Sequence, residues 1–249
     1  MATTVAKVSK TKKVSLKKAV TAHNKVVNKS NKAFEKMKPA EKRVQIARDV
    51  LFQLNSGKLI AAHRLWLGAN EDDDVSFISD SEIKKNAELQ DILGKRKECY
   101  GCALGGMFMC AVERANKLKV GKLNFNHDQE KNTIHGNDVF SYMKKFFDKK
   151  QLFLIELAFE GGEGTCYASG SSSIIMDDQH LSVSMGHDEG YEASCFASFA
   201  ETPGEKMRLI MENIVANNGT FRPDKKPIRV VKCVTPNYLD EAFLFNKAS

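Results

Sequence analysis

The sequence predicts a mainly α fold with a minor β component (α+β): a single helical domain over residues 40–249 with a small hairpin, preceded by a basic N-terminal arm over residues 1–39. Three observations carry that expectation. Apolar residues recur at steps of three and four through most of the chain, the spacing of one helix face. Helix punctuation brackets two of those runs, Pro39 with Gly57 and Thr202-Pro203-Gly204-Glu205 with Gly219. Charge is partitioned: residues 1–40 hold eleven lysines and the single acid Glu35, a local net of +10 in a chain of net +7, which leaves the remainder at −3.

A hydrophobic content of 42% over 249 residues is ordinary for a chain that buries a core. No apolar run approaches the roughly 18–20 residues of a membrane-spanning helix, and Met1–Lys18 lacks the apolar block of a secretory signal. The expectation is a protein that stays in the compartment where it is made. Six cysteines, Cys99, Cys102, Cys110, Cys166, Cys195 and Cys233, are scattered among apolar neighbours rather than set out as a small disulfide framework, so reduced and mostly buried thiols are expected.

In the arm, residues 1–14 show no sustained period and are expected to be disordered. From Leu16 onward Val20, His23, Val27, Ser30, Phe34 and Met37 fall on one helical stripe, with Ser15 as a start and Pro39 as a stop. A helix from Pro39 follows, with Val44, Ala47, Leu51 and Leu54 facing the core and Gly57 ending it. Lys58–Leu67 reads as a strand, and Val75–Ile78 as its hairpin partner across an acidic turn. A helix is expected from Ser81 to about Ile92, closed by Gly94, and a central one over Glu98–Leu118, apolar nearly all round. Two more follow over Asp138–Phe147 and Lys149–Phe159, separated by Asp148; then come a flexible loop over Gly161–Ser173 and a helix over Tyr191–Phe199. The next helix carries a capping box, in which the Thr202 oxygen takes an orphan amide and Glu205 reaches back, with Met207, Ile210, Met211, Ile214 and Val215 as its buried face. Ile228–Val234 reads as a strand and Tyr238–Phe245 as a closing helix.

Chemistry is less legible. Cys99 and Cys102 form a C-x-x-C pair beside Cys110, and paired thiolates bind zinc or cycle through a disulfide. A zinc site needs two more ligands, and no second close pair exists, although His127, His135, Cys166 or Cys195 could approach in space. The segment Gly94–Glu98 offers no strand leading into a thioredoxin-like motif. Small apolar neighbours favour packing as the role of the pair. Asp177, Asp178 and His180 with His187, Asp188 and Glu189 are the one dense group of acids and imidazoles, and Cys99, Cys102, His180 and His187 are the weak metal candidates. An EF-hand register from Asp72 fails at Phe77, where glycine is needed, and at Ile83, where the glutamate belongs. Glu160–Thr165 has glycines but no Gly-Lys-Ser/Thr, and no G-x-S-x-G elbow is present. No catalytic residue and no cofactor is assigned, and catalysis is not the leading reading.

Arg43-Val-Gln-Ile-Ala-Arg-Asp-Val-Leu with Gln53-Leu-Asn-Ser-Gly-Lys, Cys102-Ala-Leu-Gly-Gly, Gln151-Leu-Phe-Leu-Ile-Glu-Leu-Ala-Phe-Glu, and Arg208-Leu-Ile-Met-Glu-Asn-Ile with Asn218-Gly-Thr-Phe-Arg-Pro resemble a family of uncharacterised bacteriophage-encoded proteins. The resemblance spans about residues 43–223, and the lysine arm looks specific to this chain. That family carries no assigned activity, so no site residue transfers. The resemblance implies the cytoplasm of an infected host bacterium, and with it nucleic-acid binding or interference with a host complex.

Three functions compete. The leading one is a non-catalytic protein whose Lys7, Lys10, Lys12, Lys13, Lys17, Lys18, Lys25, Lys29 and Lys32 contact nucleic-acid phosphates without reading sequence, since the arm holds only Phe34 to stack on a base. The second is an inhibitor or adaptor that the same charge steers onto an acidic host protein. The third is a metal- or thiol-dependent enzyme built on the cysteine pair or the His180/His187 region. A solvated tail without a specific ligand is the plainest alternative for the arm.

Overall fold

The computed structural model describes residues 30–69, 76–115, 118–126, 133–160, 165–168, 171–176, 179–183, 187–198 and 200–225. The chain divides into two compact units, Met1–Met37 with Val234–Ser249, and Lys38–Cys233. In the first, residues 30–36 are helical (α1), with Asn31 and Phe34 buried and Lys32, Glu35 and Lys36 exposed. This is the expected stripe at its C-terminal end; its earlier positions lie outside the described residues, as do the strand expected over Ile228–Val234 and the helix over Tyr238–Phe245.

The second unit is mainly helical. Its first helix, α2 (Pro39–Ser56), starts where proline needs no amide partner and ends at Gly57, whose φ of 75° suits a residue without a Cβ. The Glu41 carboxylate accepts from the Lys38 amide at 2.8 Å. Its buried face is rotated from the expected one: Ile46, Ala47, Val50 and Leu51 are enclosed, whereas Val44 and Leu54 are half-buried. The rotation brings Asp49 inward, where both its oxygens meet Arg114 at 2.6 and 2.7 Å and Gln45 donates at 2.9 Å.

The hairpin expected after α2 is not formed. Strand β1 (Leu59–Ala61) exists, but it pairs in parallel with β2 (Cys99–Gly101), Leu59 opposite Cys99 and Ala61 opposite Gly101. Residues 76–78 form no strand, and 77–78 are bends. On its far side Tyr100 of β2 exchanges backbone hydrogen bonds with Gly68 at 2.9 and 3.0 Å. The helix expected from Ser81 to Ile92 is two short ones, α3 (Asp80–Lys84) and α4 (Leu89–Lys95). Ser79, not Ser81, caps α3, exchanging bonds with Glu82. Asn86, at φ 48°, breaks the run; its side-chain oxygen then accepts from Gly121 at 2.9 Å, and Ala87 and Leu89 bond the segment around Leu118–Val120.

The central helix α5 (Ala103–Ala115) starts five residues later than expected because Cys99–Gly101 belong to the sheet. Every residue from Ala103 to Val112 is buried. A 3-10 turn (Val120–Lys122) and a short antiparallel pair, β3 (Phe125–Asn126) with β4 (Thr133–Ile134), lead to α6 (Gly136–Met143) and α7 (Lys149–Glu160). Asp148 separates the two helices as expected, its carboxylate accepting from the Gln151 amide at 2.8 Å.

Within the loop expected over Gly161–Ser173, the described residues 165–168 and 171–173 are strand, part of an antiparallel meander of β5 (Thr165–Ala168), β6 (Ser171–Met176) and β7 (Gln179–Val183). Its serines and glycines read as loop composition, yet Ile174 and Ile175 supply the branched residues of a central strand. Helix α8 (His187–Cys195) begins four residues before the expected start, and α9 (Pro203–Ala216) has the expected capping box, with Glu205 donating its amide to Thr202 Oγ1 at 3.2 Å.

Around α5 the other helices form the core: α2 packs on α9 and α5, α5 on α4, α6 and α7, and α7 on α8 and α9. Arg43 of α2 ties the ends together, donating to the carbonyls of Gly219 at 2.6 Å and Phe146 at 3.2 Å. Replacing Arg114 by leucine leaves the buried Asp49 carboxylate without its cation and is expected to cost about 3–5 kcal/mol, whereas Asp49→Leu with Arg114→Leu together costs much less. Urea unfolding of Arg114→Leu, Asp49→Leu and the double variant checks this; a double-variant loss equal to the sum of the two single losses would show that the pair is not coupled.

Candidate functional site

The C-x-x-C pair spans a strand-to-helix junction. Cys99 sits on β2, Cys102 directly precedes α5, and neither forms a disulfide. A strand therefore does run into the motif, although it carries Cys99 itself rather than preceding it. Both thiols are buried, as is Cys110 one helical face further on. Burial pushes Cys99 up to about 11, only partly offset by the Lys58 cation, and holds Cys102 and Cys110 well above the usual thiol range. A neutral, enclosed thiol is a poor nucleophile and a poor ligand until it is exposed.

What surrounds Cys102 was not anticipated. Its sulfur accepts from the Gly105 amide at 3.4 Å, so the cysteine caps α5. Beside it lies Glu156 of α7, 3% exposed, whose carboxyl interacts with the Cys102 thiol and the Leu104 amide. One of its oxygens, Oε2, has no hydrogen-bond partner among the described residues. Burial, helped by the nearby Glu160 carboxylate, raises Glu156 to about 8. Glu160 in turn accepts from the Arg64 amide at 3.1 Å and meets His63 Nδ1 at 3.2 Å.

The sequence places these groups by exclusion. Glu156 is the one acid inside Leu152–Phe159, a run that is buried throughout, so α7 cannot turn it to solvent. The loop from Ala62 to Leu67 closes over the junction: Cys102 donates its amide to the Leu65 carbonyl, and a Cβ on Gly105 would stand 1.3 Å from the Trp66 carbonyl oxygen. The result is a chain of groups, Cys102, Glu156, Glu160 and His63, running from the core to a partly exposed imidazole. Its inner members, Cys102 and Glu156, cap the helix with groups that burial holds toward their neutral forms. Among the described residues no three His, Cys, Asp or Glu side chains are placed to hold a metal.

The other expected site residues fare differently. His180 lies on β7 opposite Ile175 and His187 opens α8, while Asp177 and Asp178 lie outside the described residues, so the group is divided between a strand and a helix. Glu189 is engaged with Lys150 at 2.6 Å. His135 caps α6, accepting from Asn137 at 3.2 Å, and Cys195 is exposed on α8. Cys166 is on β5 and His127 lies outside the described residues. Of the nine lysines expected to contact phosphates only Lys32 is described, and it is exposed; Lys7, Lys10, Lys12, Lys13, Lys17, Lys18, Lys25 and Lys29 lie outside the described residues.

A second basic feature emerges on the body, at the turn between α6 and α7. Lys144 and Lys145 are exposed, the first 5.9 Å from the Phe140 ring and the second 4.0 Å from the Tyr142 ring, a cation–π distance. Tyr142 also meets Phe108 edge-on at 5.2 Å. The signal in the sequence is Met143-Lys-Lys-Phe-Phe-Asp-Lys-Lys, in which four cations flank an aromatic pair. No helix among the described residues is long and apolar enough to cross a membrane. Comparison with protein-family models, with curated proteins and with solved structures finds no match to this chain.

Glu156 makes the fold pH-dependent. Between about pH 4.5, its ordinary value, and about pH 8 the folded protein holds a proton that the unfolded chain has released, so stability falls as pH rises through that window. Glu156→Gln keeps the shape without the ionisation and is expected to flatten the melting temperature between pH 5 and 8. A slope identical to that of the parent protein would place the ionisation elsewhere.

Proposed function

We propose that this is a non-catalytic, phage-encoded protein of the host-cell cytoplasm that associates with nucleic acid through its lysine-rich arm. One observation carries the reading: a net +10 confined to residues 1–40 while the rest of the chain is net −3. Lysines at such density release condensed counterions from a phosphate backbone, a source of affinity that needs no fixed geometry. Lysine without arginine or interleaved aromatics positions rather than reads, so binding is to backbone and not to sequence.

The body adds support of two kinds. Cys99, Cys102 and Cys110 are neutral and enclosed, which fits packing better than thiol chemistry. Its Lys144–Lys145 turn sets cations on aromatic rings at the surface, a second place where phosphate could be met. No cofactor is needed for this role.

Fluorescence anisotropy with random duplex and single strands, across a salt series, tests the proposal. If about six lysines contact phosphates, affinity for duplex falls roughly 10³-fold between 50 and 200 mM salt. Removing residues 1–37, or replacing Lys7, Lys10, Lys12, Lys13, Lys17 and Lys18 by glutamine in the full chain, is expected to abolish that steep dependence. Lys144→Glu with Lys145→Glu weakens binding a further few-fold without lowering the melting temperature. Absence of binding by the full chain at low salt would end the nucleic-acid reading and turn attention to acidic protein partners.

A further inference from the structure

Cys102 differs from the other buried cysteines in what its sulfur faces. Its Sγ stands at the start of the 13-residue helix α5 and accepts from the Gly105 amide at 3.4 Å, a place where the helix terminus favours a thiolate. Cys99 lies within a strand and Cys110 within α5, where the amides are taken up by the ladder and the helix themselves. A second group points at the same sulfur. The Glu156 carboxyl, 3% exposed, meets the Cys102 thiol, and its Oε2 has no hydrogen-bond partner among the described residues. What separates the pair from solvent is the loop Ala62–Leu67. Its ends are tied down: the Ala62 amide donates to Gly101 at 3.0 Å, and Gly68 exchanges bonds with Tyr100. Between them the Leu65 carbonyl accepts from the Cys102 amide, and the Trp66 carbonyl lies flat on Gly105. The outer side is latched by Glu160, which accepts from the Arg64 amide at 3.1 Å and meets His63 Nδ1 at 3.2 Å. Arg64 at the middle of the loop has a φ of 57°, a left-handed conformation that a residue with a Cβ adopts only where its surroundings hold it.

We propose that Ala62–Leu67 is a lid, and that lifting it uncovers Cys102 as a modification site for small disulfides, with Glu156 as the acceptor of the thiol proton. Closed, Cys102 is a packing residue and inert. Opening admits water to Glu156, which then ionises as an exposed carboxyl does. The carboxylate takes the Cys102 proton and the thiolate attacks one sulfur of the disulfide. A new S–S bond forms to Cys102 as the old one breaks, and the other half leaves as a thiolate with the electron pair. Cys102 is thereby oxidised to a mixed disulfide and the departing half reduced to a thiol. The adduct occupies the place of the Leu65 and Trp66 backbone, so the lid cannot close again over it. The site lies in the body and is independent of the lysine arm.

Reaction of the full chain with dithiodipyridine under native conditions, each cysteine followed by peptide mass spectrometry, tests this. Cys110 is the internal reference, since it is enclosed within α5 and reacts only when the whole unit unfolds. Cys102 is expected to react at least about tenfold faster than Cys110, because a local opening is populated far more than global unfolding. The fluorescence of Trp66, the chain's single tryptophan, is expected to change in step with Cys102 modification. His63→Ala and Glu160→Gln loosen the latch and are expected to speed Cys102 several-fold while Cys110 keeps its rate. Adding Glu156→Gln to the His63→Ala chain removes the proton acceptor and is expected to slow Cys102 again. Equal rates at Cys102 and Cys110 in the parent chain overturn the lid, and that comparison decides even where a variant fails to fold. Latch variants that fold and leave the Cys102 rate unchanged also overturn it, and an unchanged rate on adding Glu156→Gln overturns the role given to Glu156.

Discussion

Helix α5 is apolar around its whole circumference, and the rest of the second unit is arranged by the need to cover it. Ala103 to Val112 offer no face to water, so α2, α4, α6 and α7 must each supply a flank. A helix enclosed in this way also buries its ends, and the first turn of any helix leaves amides that its own carbonyls cannot reach. Ordinary caps are serine, threonine or aspartate at a wet surface. Here the same need is met inside the core, by the Cys102 sulfur and by Glu156 reaching in from α7. The cost is a carboxyl in an apolar setting, which that setting answers by keeping its proton.

The same constraint explains the small residues near the junction. Gly101, Gly105 and Gly106 let the Trp66 carbonyl and the Leu59 side chain lie against the backbone; a Cβ at Gly106 would come within 2.7 Å of Leu59. At the other end of α5 the problem recurs with charges in place of caps. Arg114 enters the core and finds Asp49, while Glu113 takes Lys58 at 2.7 Å and Gln53 at 3.0 Å. These bonds join α5 to α2 and to β1. A pair of this kind adds little net stability relative to apolar residues, but it sets which faces meet, because a slipped register would strand a charge.

Local signals made several elements readable. Pro39, Gly57, Asp148 and the Thr202–Glu205 box act within four residues of themselves, so the sequence alone places α2, the break before α7 and the start of α9. What it could not show depends on partners distant in the chain. Cys99–Gly101 look helical because they continue an apolar stretch, and they become a strand only because Leu59–Ala61 and Gly68 are there to bond them. Asn86 breaks a helix that its neighbours would sustain because Gly121 bonds its side chain. The inward turn of Glu156 was legible in outline, since an acid inside Leu152–Phe159 has nowhere to go; its meeting with Cys102 was not, since the two stand 54 positions apart in the chain. The His180 and His187 region looked dense only in sequence, and a strand and a helix divide it.

The charge partition bears on how such a protein would engage a polyanion. On the proposed reading, attraction resides in the arm, while a body of net −3 is repelled by phosphate wherever it approaches within about a Debye length, roughly 10 Å at 0.1 M salt. Repulsion is not uniform over its surface. The turn between α6 and α7 presents Lys144 and Lys145 held over Phe140 and Tyr142, and rings that anchor lysine stems also reduce the entropy lost when their heads meet phosphate. The body should therefore approach with that turn foremost, which makes orientation a property of the folded domain and affinity a property of the arm. The two are separable in principle: neutralising the arm lowers binding everywhere, while reversing charge at the turn changes which face of the body lies near the strand.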